Sequence, residues 1–145
     1  SGHGVVQVFL VHPGGPYWAK KDLNAWSIPK GIVDADEDHL LAAQREFREE
    51  TGFSVEGAFV PLGTFRQPSG KQISVWAVEG DCDPAKLISN SFEMIWPPKS
   101  VQTQSFPEVD RGGWFAQADA MAKIVKGQQP ILRKFFELAG PHGSA

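Results

Sequence analysis

Residues Val5 to His12 (VVQVFLVH) are β-branched or aromatic with partial alternation, and they run into Pro13-Gly14-Gly15-Pro16. The pattern predicts a strand that ends in a loop, continuing to about Pro29. From Glu37 to Thr51 the period becomes helical: Leu40, Ala43 and Phe47 recur at three- and four-residue spacing, with Asp36 placed to cap the start and Gly52 to stop the end. Beyond this helix, Ala58–Arg66, Gln72–Glu79 and Gly113–Phe115 are short, apolar or β-rich, and read as strands. Gln117–Lys126 and Pro130–Leu138 have helical spacing; Ile131, Phe135 and Leu138 can share one face, and Pro130 suits a first turn.

Strands and helices alternate too irregularly for a doubly wound parallel sheet, so the expected class is α+β or mixed α/β, built on one layered mixed sheet. A chain of 145 residues accommodates one core, and ten Phe with five Trp supply the apolar surface for it. The expected domain spans 1–139; Gly140 to Ala145 is a small, polar tail without a role.

A formal net charge of -3 gives the molecule no overall attraction for nucleic acid or an anionic membrane. Stable nucleic-acid binding is therefore not expected, and any phosphate must be met locally, most simply through a cation. Cys82 is the single cysteine, so it has no disulfide partner in the chain, and Glu79-Gly80-Asp81-Cys82-Asp83 brings no His to activate it. The sequence shows no signal-peptide pattern and no apolar run of membrane-spanning length, from which a cytoplasmic location is expected.

The chemistry concentrates in Arg45-Glu46-Phe47-Arg48-Glu49-Glu50. At ~100° per residue Glu46 lies near both Glu49 and Glu50, and like charges at this spacing repel unless a cation sits among them. Mg²⁺ or Mn²⁺ suits an all-oxygen donor set of a few carboxylates with water and substrate phosphate completing the shell. Taken alone, the cluster reads more readily as a solvated acidic face whose charges pair with Arg45 and Arg48 than as a metal site.

The wider spacing adds a second line of argument. Gly31 is followed after five residues by Glu37, and after seven more by Arg45-Glu46-Phe47-Arg48-Glu49-Glu50-Thr51-Gly52-Phe53. This resembles the Nudix box at each fixed position, with seven specified Gly or charged residues in 23 and apolar residues at Phe47 and Phe53. The resemblance implies a MutT-like Nudix hydrolase: an α/β/α sandwich with a mixed sheet, the box forming a loop-helix-loop. It further implies cleavage of a diphosphate linkage, with Glu49 and Glu50 as principal metal ligands, Glu46 as a further ligand or base, and the Gly31 carbonyl as an additional ligand. Arg45 would orient the acids, while Glu37 and Gly52 would be structural. Relatives also differ in the source of the base; here Glu108 in Phe106-Pro107-Glu108-Val109-Asp110 is the distant candidate, with Glu93 and Asp110 as rivals.

Trp26-Ser27-Ile28-Pro29-Lys30 leads into the box, which makes Lys30 a candidate phosphate contact and Trp26 a candidate substrate contact. Trp18, Phe65, Trp76 and Trp96 are further aromatic surfaces on which a base could stack, although most aromatics in a small domain fill the core. His12 and His39 lack metal-ligand spacing and read as structural or surface residues. Together with the proline-rich loop, these segments resemble a bacterial subgroup of predicted nucleoside-polyphosphate pyrophosphohydrolases. The expected partner is a phosphoanhydride small molecule; the alternatives are a diphosphoinositol polyphosphate substrate or a catalytically silent ligand sensor. A homo-oligomer is compatible with the sequence. Nudix domains usually begin with a strand ahead of the one placed at Val5–His12, and Ser1 to Gly4 is too short to supply it.

Overall fold

The structure is a computed structural model, and it describes residues 6–30 and 38–139. Its centre is an antiparallel pair, β1 (Gln7–Pro13) with β6 (Val109–Ala116), in a register that sets Phe9 opposite Trp114 and His12 opposite Arg111. Successive strand residues point to opposite faces, and this separates Phe9 from Leu10. Phe9 meets Phe47, Phe53 and Trp114 in edge or tilted contacts, which attaches helix α1 (His39–Thr51) to one face. Leu10 is fully buried with Trp26, Ala120, Ile124, Leu132 and Phe136, which packs α2 (Gln117–Lys123) and α3 (Gln129–Ala139) on the other. The α/β/α layering thus follows from the alternation of two adjacent side chains.

A second ladder pairs β2 (Val60–Arg66) with β3 (Gln72–Ala77), and its Leu62 and Val75 close on Ile131 of α3. A third pairs β4 (Ser91–Ile95) with β5 (Thr103–Pro107), with Phe92 opposite Phe106. All three ladders are antiparallel. The parallel component among the described residues is an isolated bridge between Trp26 and Ile124, while Ser27 bridges back to Val11 on its other side. No helix among the described residues is long and apolar enough to cross a membrane.

Several boundaries differ from expectation. Helix α1 begins at His39, and the carboxylate of Asp38 accepts from the N–H groups of Leu40 and Leu41, so Asp38 is its cap. The expected cap, Asp36, lies outside the described residues, as do the tail and Ser1 to Val5. Ala42 is the buried alanine of the helix, while Ala43 is exposed. Gly52 does end the helix, with a left-handed φ of 79° and its N–H on the Arg48 carbonyl. The stretch Gln117–Lys126 is helical only to Lys123; the chain then bends, and Lys126–Gln128 forms one 3₁₀ turn ahead of α3.

Candidate active site

The acidic end of α1 opens onto a cavity of about 430 Å³, lined by Glu50 and Lys30 together with Glu108, Trp18, Gln67 and Gln128. Glu50 comes from the last turn of α1, and its Oε1 accepts the Lys30 backbone N–H at 3.1 Å. Arg45 reaches along the same helix, with Nη1 2.8 Å from Glu46 Oε1 and 3.1 Å from Glu49 Oε1. One guanidinium therefore holds two of the three glutamates, and the third turns toward the cavity.

Glu108 is brought there through backbone. The Asn90 N–H donates to the Glu49 carbonyl at 2.9 Å, the Glu108 N–H donates to the Asn90 carbonyl at 2.7 Å, and the Gly14 N–H donates to the Glu108 carbonyl at 2.9 Å. This relay ties the short turn between β5 and β6 to the end of α1 on one side and to the loop after β1 on the other. Gly14 is required by close approach: a Cβ there would sit 2.0 Å from the Pro107 carbonyl oxygen.

Burial pushes the Glu50 carboxyl up from its ordinary value to about 7; the Lys30 N–H draws it back, and the charges of Glu46 and Glu108 raise it further. Burial also raises Glu46, against the pull of Arg45 and with added repulsion from Glu49 and Glu108. Glu46, Glu50 and Glu108 thus lie close enough to feel one another although 58 residues separate the last two. Among the described residues no three acidic, His or Cys side chains already converge as a metal cage. The donor set nevertheless fits a hard divalent cation: it is all carboxylate, its members repel, and Mg²⁺ characteristically takes one or two protein carboxylates and completes its shell with water and phosphate.

Of the other expected site residues, Gly31 and Glu37 lie outside the described residues. Trp26 is a correction to the expected substrate contact: it is 5% exposed, packs on Phe115 and His12, donates its indole N–H to Asp22, and does not line the cavity. The aromatic that does reach the cavity is Trp18. Asp110 is engaged by the buried His12, whose Nδ1 lies 2.9 Å from Asp110 Oδ1 and whose Nε2 lies 2.6 Å from the Lys21 carbonyl. Glu93 stands on the exposed side of β4 and lines no part of this cavity. The Cys82 thiol is raised by burial and by Asp81 and Asp83, against any nucleophilic role. Asn90 and Gln128 carried no motif signal, and Gly14 stood in the proline-rich loop without an assigned role; Asn90 and Gly14 act through backbone, which sequence pattern does not report.

A three-layer fold with a box helix presenting acids to a cleft beside an antiparallel strand pair defines a class, and the chain belongs to it: residues 3–135 match the NUDIX domain family. Members of this family generally use divalent metal ions. The chain is similar to the 8-oxo-(d)GTP phosphatase of Mycolicibacterium smegmatis, with 32% identity over 104 residues, 68% of this chain and 29% of that protein. It thus spans less than a third of the length of that curated relative. The crystal structure of a C. elegans Ap4A hydrolase binary complex superposes with a TM-score of 0.61 at 26% identity, covering 94% of this chain and 89% of the other. The solution structure of the E. coli ORF135 protein gives a TM-score of 0.61 at 20% identity over 92% of this chain and 81% of that one, a likeness of fold alone.

Proposed function

We propose that this chain is a Mg²⁺- or Mn²⁺-dependent pyrophosphohydrolase acting on a nucleoside or dinucleoside polyphosphate. The observation that carries the reading is the placement of Glu50 and Glu108, from distant parts of the chain, on one cavity beside Lys30. The names of the relatives agree with it, since one is a phosphatase of 8-oxo-(d)GTP and the other a hydrolase of Ap4A. A highly phosphorylated inositol fits less well, because Lys30 is the single basic residue among the described residues lining the cavity.

Glu50, with Glu46 and Glu49, would hold the cation, and Glu108 would hold it or take the proton. The cation, when bound, supplies charge neutralisation on the phosphate oxygens and acidifies the attacking water. The chain's own groups do the rest. Lys30 offers its ammonium to a non-bridging phosphate oxygen as a point charge. Its N–H orients Glu50. Arg45 keeps Glu46 and Glu49 from rotating away. Water attacks one phosphorus, the new P–O bond forms as the bridging P–O bond breaks, the water proton passes to the Glu108 carboxylate, and the bridging oxygen leaves with the second phosphate. Most of the acceleration on this account is positioning and preorganised charge.

The test is hydrolysis with the products resolved, over nucleoside triphosphates, dinucleoside polyphosphates, nucleotide sugars and an inositol pyrophosphate, each with Mg²⁺, Mn²⁺ or excess chelator. Turnover of one of the first two groups, lost on chelation, is the expected result. No turnover of any compound with metal present would move the assignment to a ligand sensor.

A further inference from the structure

The cavity holds a polar group that the hydrolytic reading does not use. Gln128, in the 3₁₀ turn before α3, is 3% exposed, and it lines the same cavity as Glu50, Glu108 and Trp18. Its Oε1 accepts the Ile28 N–H at 2.9 Å. That bond fixes which end of the carboxamide is oxygen, since only the oxygen can accept from a backbone N–H. The amide nitrogen, with two donor hydrogens, has no hydrogen-bond partner among the described residues. Because no fully buried side-chain nitrogen or oxygen is left unpaired among those residues, this nitrogen is not fully buried, in a residue that lines the cavity. Gln128 is therefore fixed as a donor on a cavity whose lining also includes the apolar Val11, Pro68 and Val125.

We infer that Gln128 is the base-reading residue of this site and selects a nucleobase with a ring carbonyl, such as guanine or hypoxanthine, over adenine. This deepens the nucleotide reading above and rests on it. A free glutamine can turn its amide to suit either an acceptor or a donor, but Gln128 cannot, because turning it would break the Ile28 bond and set N–H against N–H. A keto base places carbonyl lone pairs where adenine carries an exocyclic amine. Adenine in the same pose therefore sets donor against donor and leaves both desolvated groups unpaired. Trp18, 37% exposed on the same cavity, offers a ring face for the base to stack on without regard to its identity. Gln67 lines the cavity too, but its side chain has no bond that fixes its sense, so it discriminates nothing.

The experiment compares guanosine triphosphate, adenosine triphosphate and 2-aminopurine riboside triphosphate, the last being guanosine triphosphate without the C6 oxygen, on the wild type and on Gln128→Glu. The variant keeps an oxygen for Ile28 N–H and replaces the donor by a second oxygen. Wild type is expected to favour guanosine in kcat/KM by about tenfold to a hundredfold over both others, and the variant to bring the ratios within about twofold. A residue that merely clamped Ile28 would lower all three together and leave the ratios unchanged. Isothermal titration of the wild type with guanosine and adenosine monophosphates repeats the comparison without metal or turnover, and stands if the variant fails to fold. Tighter guanosine binding without cleavage of any nucleotide would overturn the hydrolase reading and keep this one; cleavage with equal preference for the three bases would overturn this one alone.

Discussion

Replacing Glu50 by Gln is expected to lower kcat by about a thousandfold or more and, at pH 7.5, to raise the melting temperature of the metal-free protein. Both effects come from one carboxylate. Lewis-acid stabilisation is worth several kcal/mol, and at 1.36 kcal/mol per factor of ten the loss of a principal ligand reaches that scale. The amide can still accept the Lys30 N–H that Glu50 accepts now, so the local structure survives. Stability moves the other way because the folded carboxyl, raised to about 7, holds its proton more tightly than the unfolded one does. The wild-type fold is thus favoured below about pH 4.5 and loses that advantage as pH rises through about 7, by up to about 3 kcal/mol. Glu46, also raised, adds in the same direction. Thermal melts from pH 4 to 8.5 without metal should fall with pH for the wild type and be flatter for Glu50→Gln. A variant with near wild-type turnover, or one less stable than wild type at pH 7.5, would refute this account of Glu50.

Glu108→Gln is expected to reduce kcat by about a hundredfold to ten-thousandfold, the range for loss of a general base, with little change in melting temperature. The small effect on folding follows from how the residue is held. Its N–H and carbonyl carry the relay from Asn90 to Gly14, and the substitution leaves both in place, while the side chain is exposed. Steady-state kinetics over Mg²⁺ concentration separate base from ligand: if Glu108 is a metal ligand, its loss raises the Mg²⁺ requirement, and if it is the base, kcat falls with that requirement unchanged. Wild-type turnover at ordinary Mg²⁺ would remove Glu108 from the site and return the proton to a box glutamate.

The part of the fold legible in the sequence is the part whose hydrophobic period is strong. Phe9 and Leu10 alternate into two packed faces, α1 ends at a glycine that has to be a glycine, and α3 packs Ile131 and Phe135 as its spacing requires, although Leu138, expected on the same face, is 59% exposed. The strands β4 and β5 were not legible. Their residues Ser91–Ile95 and Thr103–Pro107 are largely exposed outside Phe92, Met94 and Phe106, so they pair across a ladder without writing an apolar run. Trp26 illustrates the reverse error: a tryptophan beside the box suggested a ligand contact, but its indole N–H finds Asp22 and its ring fills the core. Within the site, the box spacing made Glu46, Glu49 and Glu50 readable because their chemistry is a side-chain property. Gly14 and Asn90 position Glu108 through main-chain hydrogen bonds, and those leave no mark on residue type beyond a glycine where a Cβ would clash.

Binding of Mn²⁺ followed by electron paramagnetic resonance, on the wild type and on Glu50→Gln at pH 8 without substrate, addresses the metal centre apart from any choice of substrate. The wild type should take up Mn²⁺ at the box helix, with Mg²⁺ displacing it, and Glu50→Gln should bind at least about tenfold more weakly, as loss of a ligating carboxylate demands. Equal Mn²⁺ affinity in the two proteins would contradict the placement of the cation at Glu50, and with it the mechanism built on that cavity.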